Sequence, residues 1–304
     1  MKRNLLLLSL LVLFTSTFTS ATSSAQFNSL RDGSYSWIVP TSTRMQINCW
    51  NQYGGFTIND DVEGSGEMVL VAQMRNDKLV RLHISDRACA RETGATRLEG
   101  VTVDNSLDFL TRHLEDGEES HVVSAIALHE SPNAEPLLER FAGRGYDYDI
   151  REKAVFWLGQ RGGERGFRFL KDFIRNGEGR ELRKKAVFAI SQSPVPEALP
   201  ELIDLARHHS DSEIRRQAIF WLGQKAGSKA AAELKSAVDN DPDDDVKEHA
   251  VFAISQLPHD RSVPLLIDLA RNHKNKHVRE KAMFWLSQTG DPRALDFIEE
   301  ILTK

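Results

Sequence analysis

Cysteine is almost absent from this sequence: Cys49 and Cys89 are the only two in 304 residues. A disulfide-dense scaffold is excluded, since such domains need several bridges to replace a hydrophobic core. Also missing is any apolar run of about 18 residues, the length a membrane-spanning helix requires. There is no surplus of positive charge, because 39 Lys and Arg face 44 Asp and Glu for a formal net charge of −5. An acidic chain is a poor candidate for general nucleic-acid binding, which needs a basic footprint. No glycine-rich phosphate loop, zinc-ligand spacing or GxSxG elbow occurs, so the common catalytic signatures are missing too. What is present is globular in texture, with 40% hydrophobic and 27% charged residues in a length sufficient for two ordinary domains.

The first residues are set apart. "MKRN" is basic, "LLLLSLLVLF" is apolar but short, and "TSTFTSATSSA" is small and polar. That layout predicts a secretory signal peptide over residues 1–25, cleaved after Ala25 so that the mature chain begins at Gln26. Loss of Lys2 and Arg3 moves the formal charge from −5 to −7. The expectation is an exported protein, periplasmic or extracellular, with no stable membrane insertion. In an oxidising compartment the pair Cys49 and Cys89 favours a disulfide, worth about 4 kcal/mol by loop closure. Two free thiols in a small core are the alternative.

Residues 26–103 are punctuated by glycine and rich in β-branched and aromatic residues. "EMVLVAQM" and "KLVRLHIS" are strand-like runs joined across "RND", a hairpin pattern. Val80, Leu82 and Ile84 alternate with Arg81 and His83, which predicts one buried and one wet face. The expectation is a small antiparallel β domain of about five strands.

From Asp104 the period becomes helical, and then the text repeats. Ile150, Leu182, Ile214, Val246 and Val278 open equivalent segments at intervals of 32 residues. The phrases "AVFWLGQ", "AVFAISQ", "AIFWLGQ", "AVFAISQ" and "AMFWLSQ" follow them. Such a period signals a solenoid of helical hairpins. Trp157, Trp221 and Trp285 alternate with Ala189 and Ala253, a 64-residue super-period that predicts large and small side chains interdigitating between units. A degenerate first repeat occupies about 104–145, and Glu299, Glu300 and Lys304 suggest a polar cap at the other end. The fold class is therefore α+β, with a small β domain before an all-α solenoid over 104–304.

The segment "VREKAMFWLSQTGDPRALDFIEEIL" and its sisters resemble HEAT repeats, of the short type also seen in phycobilin lyases. The resemblance implies an α-solenoid whose "VREKA" helices line a concave side. The chain is also similar to exported bacterial HEAT-repeat proteins with a small leading β segment. Some HEAT-repeat hydroxylases bind iron through repeated His-Glu pairs, but here only His129-Glu130 appears.

Counting each inner helix from its Ile, Leu or Val, positions one, five, eight, nine and twelve share a face, while three, seven and ten lie opposite. Position seven is Phe156, Phe188, Phe220, Phe252 and Phe284; position eleven is Gln160, Gln192, Gln224, Gln256 and Gln288. Position ten is small throughout, and a glycine inside a helix asks for a reason such as close approach of another chain. Armadillo repeats carry a similar aromatic and amide four residues apart, and that ladder clamps an extended peptide. A primary amide offers the donor and the acceptor that a peptide backbone needs. Packing against the next unit is the competing explanation for the Phe, and capping of loop carbonyls for the Gln. Lys153, Lys184, Lys185, Arg216 and Lys281 add a basic rim, either paired with loop acids such as Asp147, Asp211 and Asp244 or attracting an acidic segment. These features predict a non-enzymatic scaffold that binds a protein or peptide, an acidic one among the candidates, with no cofactor, metal or nucleic acid. A lyase-like or metal-dependent enzyme and a purely structural envelope protein are the alternatives.

Overall fold

The structure, a computed structural model, describes residues 26–41, 45–47, 56–58, 66–85, 94–161 and 163–303. Cys49, Cys89 and the leader over 1–25 lie outside the described residues. The chain forms two compact units, Met1–Ala154 and Val155–Lys304.

Among the described residues the first unit holds six strands: β1 (Gly33–Pro40), β2 (Met45–Ile47), β3 (Phe56–Ile58), β4 (Glu67–Arg75), β5 (Lys78–Ser85) and β6 (Thr96–Arg97). Four make a sheet in the order β5-β4-β1-β6, and β2 pairs with β3 separately. The sheet is mixed rather than antiparallel, because β6 lies parallel to β1 through Tyr35–Thr96 and Ser36–Arg97. The chain passes from the β5 edge to the β1 edge, and such a crossover permits a parallel strand where a tight hairpin does not.

The β4–β5 hairpin turns through Asn76 and Asp77, at φ 51° and 59°. Two consecutive positive values match the twist of a two-residue hairpin, and Asn and Asp tolerate them best after Gly. The Asn76 amide also donates to the Asp32 carboxylate at 2.7 Å. One expectation fails here. Val80 is exposed, and the buried residues of β5 are Leu79, Leu82 and Ile84. The cause is a register shift, since Gln73 faces Arg81 while Met74 faces Leu79. Val80 is the extra residue of a bulge, and an extra residue flips side-chain parity.

Helices α1 (Val103–Arg112), α2 (Glu119–Leu128) and α3 (Ala134–Ala142) follow. Phe109 of α1 packs with Trp37 of β1 and with Phe27, the ring centroids lying 4.6–5.4 Å apart. A buried polar chain accompanies this apolar contact. Trp37 Nε1–H donates to Ser106 Oγ at 2.8 Å. Ser106 Oγ lies 2.9 Å from His129 Nε2, and His129 Nδ1 lies 2.7 Å from the Ala125 carbonyl. A carbonyl only accepts, so Nδ1 carries the imidazole proton and the serine donates to Nε2. Thr41 donates to the Leu128 carbonyl at 2.9 Å. His129, half of the solitary His-Glu pair, is thus a fully buried tie between sheet and helices.

Helix α4 (Tyr148–Arg161) crosses from the first unit into the second. The second unit continues with α5 (Glu164–Asn176), α6 (Arg180–Gln192), α7 (Ala198–His208), α8 (Ser212–Ala226), a 3₁₀ turn (Gly227–Ala230), α9 (Ala231–Asn240), α10 (Asp244–Ser255), α11 (His259–Asn272), α12 (Lys276–Thr289) and α13 (Pro292–Leu302). The even-numbered helices α4 to α12 carry the recurring phrase and are the inner helices; the odd-numbered ones are their outer partners. Asp211, Asp243 and Asn275 cap α8, α10 and α12 by accepting amide hydrogens of the first turn. Position one is buried in every unit, at Ile150, Leu182, Ile214, Val246 and Val278, as is the Ala of position five. At the far end the expected polar cap is incomplete. Glu300 pairs with Arg271 at 2.6 Å, but Leu295, Ile301 and Leu302 are exposed on α13.

Candidate functional site

Position ten, expected on the open face, is buried at Gly159, Ser191 and Gly223. What it meets is the next inner helix. A Cβ on Gly159 would overlap the backbone of Ala189, and one on Gly223 would come within 3.2 Å of Ala253 Cβ. The close approach that the glycine allows is therefore made by the repeat array itself. Ser191 and Ser255 instead precede units that carry Trp221 and Trp285, whose rings pack on Phe188 at 4.7 Å and on Phe252 at 5.1 Å. Glycine–alanine and phenylalanine–tryptophan contacts thus alternate, which is the physical content of the 64-residue super-period.

The structure brings the phenylalanines of position seven partly into these contacts. Phe156 and Phe188 stack at 6.2 Å across the first glycine–alanine interface. Phe156, Phe188, Phe220 and Phe252 are half-buried, whereas Phe284 is 52% exposed. Phe188 lies between the rings of Phe156 and Trp221.

The glutamines of position eleven fall into two groups. Gln192, Gln256 and Gln288 donate from Nε2 to the Oγ of Ser191, Ser255 and Ser287 at 3.0, 3.1 and 3.2 Å. Those hydroxyls donate to the carbonyls of Phe188, Phe252 and Phe284 at 2.6–2.7 Å. Gln160 and Gln224 follow glycine and make no side-chain hydrogen bond among the described residues. Gln224, Gln256 and Gln288 are exposed, and Gln160 and Gln192 half-buried.

The basic rim is largely paired. Lys184 meets Glu181 at 3.1 Å and Glu213 at 3.3 Å, Arg216 pairs with Glu213, and Lys281 sits 2.5 Å from Glu248. Burial works against the Glu248 carboxylate, yet the bonds from Lys281 and His277 hold its pKa below the usual carboxylate range. Lys153 is half-buried on α4 and Lys185 exposed on α6. The loop acids Asp211 and Asp244 are likewise engaged, with Arg183 at 3.1 Å and Lys247 at 2.8 Å.

Sequence reasoning missed the cations of position two. Arg215 forms a bidentate pair with Asp241 at 2.8 and 2.9 Å and donates to the His209 carbonyl at 2.9 Å; both ionised partners are buried. The bonds from Asp241 raise the Arg215 pKa above its ordinary value. Arg279 reaches the His273 carbonyl in the same way at 2.8 Å. The signal was a cation recurring every 32 residues, at Arg151, Arg183, Arg215, Lys247 and Arg279, concealed within a charge count. On the outer helices a ladder joins Arg175 to Asp204, Arg207 to Glu233, Lys235 to Asp268 and Arg271 to Glu300. Beside it lies a polar pocket of about 360 Å³ between α9 and α11, lined by Lys235, Asp239, Asp268 and His273. Among the described residues no cluster of three His, Cys, Asp or Glu is placed to hold a metal ion, and no helix is long and apolar enough to cross a membrane.

Those paired helices stacked on a fixed period define an α-solenoid of the HEAT type. The HEAT-repeat profile matches residues 168–255 and 231–304, and this part of the chain is a HEAT-repeat array. No curated protein sequence matches the chain. Among solved structures, YibA of Escherichia coli aligns at 20% identity and a TM-score of 0.40, over 61% of this chain and 69% of that one. The CpcE–CpcF complex of phycocyanin lyase from Nostoc sp. PCC7120 aligns at 17% identity and a TM-score of 0.37, over 49% and 97%. Human deoxyhypusine hydroxylase aligns at 16% identity and a TM-score of 0.30, over 64% and 85%. Likeness at this level carries no inference about activity.

Proposed function

We propose that this protein is an exported, non-enzymatic scaffold whose inner-helix face binds a segment of another polypeptide. HEAT repeats commonly mediate protein interactions, and a solenoid offers one equivalent surface per unit. The observation that carries the reading is the pairing, in every unit, of a half-buried or exposed phenylalanine with a glutamine amide whose hydrogen-bonding capacity the fold does not exhaust. Aromatic surface gives contact area, and spare amide groups give a polypeptide backbone its partners. The leader over residues 1–25 supports an exported location, which the N-terminal mass of secreted material tests directly.

The double variant Phe220→Ala with Gln224→Ala tests the face itself. Phe220 is half-buried, so its truncation should cost about 1–2 kcal/mol, below the roughly 3–5 kcal/mol of a core phenylalanine. Denaturant melts measure that cost. Capture of a binding peptide should fall at least tenfold while helicity is kept. A midpoint shift in the core range, or unchanged capture, would leave the phenylalanines as packing alone.

A further inference from the structure

The amides on the inner face are not equivalent, and their difference specifies a ligand; this step rests on the reading of that face as a polypeptide site. In α6, α10 and α12 the serine of position ten spends its single proton on the carbonyl of Phe188, Phe252 or Phe284. Its oxygen can then only accept, so the atom of Gln192, Gln256 or Gln288 beside it must be the NH₂ group, at 3.0–3.2 Å. The amide orientation is fixed by this count of protons. Oε1 of each is left as an oriented acceptor without a partner among the described residues. In α4 and α8 a glycine stands at position ten, so no serine hydroxyl orients Gln160 or Gln224, and either end of those amides can turn outward. From α4 to α12 the order is free, fixed, free, fixed, fixed.

A fixed acceptor calls for a donor, and the donor that every polypeptide supplies is its backbone N–H. Packed helices lie about 8–10 Å apart. A polyproline II segment advances about 3.1 Å per residue with three residues per turn, so one turn covers about 9 Å and returns the same edge to the groove at each inner helix. A β-strand alternates its sides at every residue. A step of about three residues would therefore turn its N–H away from every second unit. Polyproline II also makes no internal hydrogen bonds, and aromatic-lined grooves suit it; here the half-buried Phe220 and Phe252 and the exposed Phe284 supply the aromatic surface.

We propose that the inner face takes a segment in the polyproline II conformation, with backbone N–H groups donated to Gln192, Gln256 and Gln288. Since α6 and α10 are two units apart and α10 and α12 one, the three donating residues are spaced by about six and then about three positions. Proline is accepted between them and refused at them.

The test uses the full chain and a displayed library of linear peptides, followed by a proline scan of a captured sequence. Proline should be neutral or favourable at most positions and should cost at least tenfold in Kd at three, with the spacing just given. In the Gln256→Met variant the penalty at the middle position should vanish while the other two persist. Ser255→Gly, which releases that amide to rotate, should reduce the same penalty a few-fold. Circular dichroism of both surface variants should be unchanged. Loss on proline substitution at every second residue, or at all residues, would overturn the conformation proposed here while leaving the polypeptide site standing. Penalties indifferent to Gln256→Met would overturn the assigned donors. Capture of no peptide at all would remove the site and this inference together.

Discussion

The interface between α8 and α10 and the interface between α6 and α8 join similar helices by different means. Across the first, Gly223 faces Ala253 and the buried pair Arg215–Asp241 ties the helix to the following loop. Across the second, the ring of Trp221 packs against Phe188, and Arg183 and Arg180 meet Asp211 in a more open setting. One interface is set by what its residues omit, the other by what they insert. A small residue on one helix thus needs a small residue on its neighbour, and a tryptophan needs a seat that leaves room for it. Repeats with nearly the same text are therefore not interchangeable.

The sharpest way to break the first interface is Arg215→Met. It leaves Asp241 buried and unpaired, and removing one partner of such a pair costs roughly 3–5 kcal/mol. Arg183→Met, at the more exposed pair, should cost about 1 kcal/mol or less. Urea melts of the two variants compare them directly, and equal losses would erase the distinction. Next in size is Trp221→Ala in the second interface. Burial is partial there, so a loss of about 2–3 kcal/mol is expected, short of the roughly 3–5 kcal/mol for a fully enclosed tryptophan.

Smaller, but more informative in sign, is the pair Gly159→Ala and Gly223→Ala. Alanine ordinarily stabilises a helix interior by about 1 kcal/mol over glycine. At Gly159 the new methyl overlaps the Ala189 backbone, and overpacking of about 1–3 kcal/mol should make the net effect destabilising. At Gly223 the methyl meets Ala253 Cβ at 3.2 Å, and the two effects should nearly cancel. Thermal melts that give both variants the same sign and size would sink the packing account of the glycines.

The smallest effect concerns acid. Arg293 donates to Asp291, the N-cap of α13, and holds its pKa down to about 2 from 3.8. A depressed carboxylate stabilises fully above its unfolded pKa and loses that contribution as pH falls through its folded one. Fraying of α13 on this account should be absent above about pH 4 and develop towards pH 2. Amide exchange in the first turn of α13 reads it, and Asp291→Asn should remove the pH dependence.

The repeat array was legible in the sequence because five copies of one phrase fix period and phase together. The pairing of large and small residues at position eight was readable as well, from Trp157, Ala189, Trp221, Ala253 and Trp285. The reason for the glycines was not, because a helical wheel describes one helix and position ten is buried by the next one. Val80 was misplaced for a related reason: strict alternation assumes that no residue is inserted, and a bulge is visible only in the pairing with β4. The parallel β6 depends on a crossover, and local pattern carries no record of where a two-residue strand will pair. Phe220 and Gln224 were found as a pair because residues four apart share a helix face. The serine relay that separates Gln192 from Gln160 needed proton counting on actual distances.

The alternation gives the array a parity. Removing one 32-residue unit, such as 182–213, would set Gly159 against Trp221, where a helix built to touch backbone meets an indole. Excising 182–245 instead would restore Gly159 against Ala253, a contact of the same kind as before. The array can therefore be lengthened or shortened by even steps without repacking, and by odd steps only with new side chains at the seam. Its unit of growth is the pair of repeats, like a two-letter word that survives duplication only when copied whole.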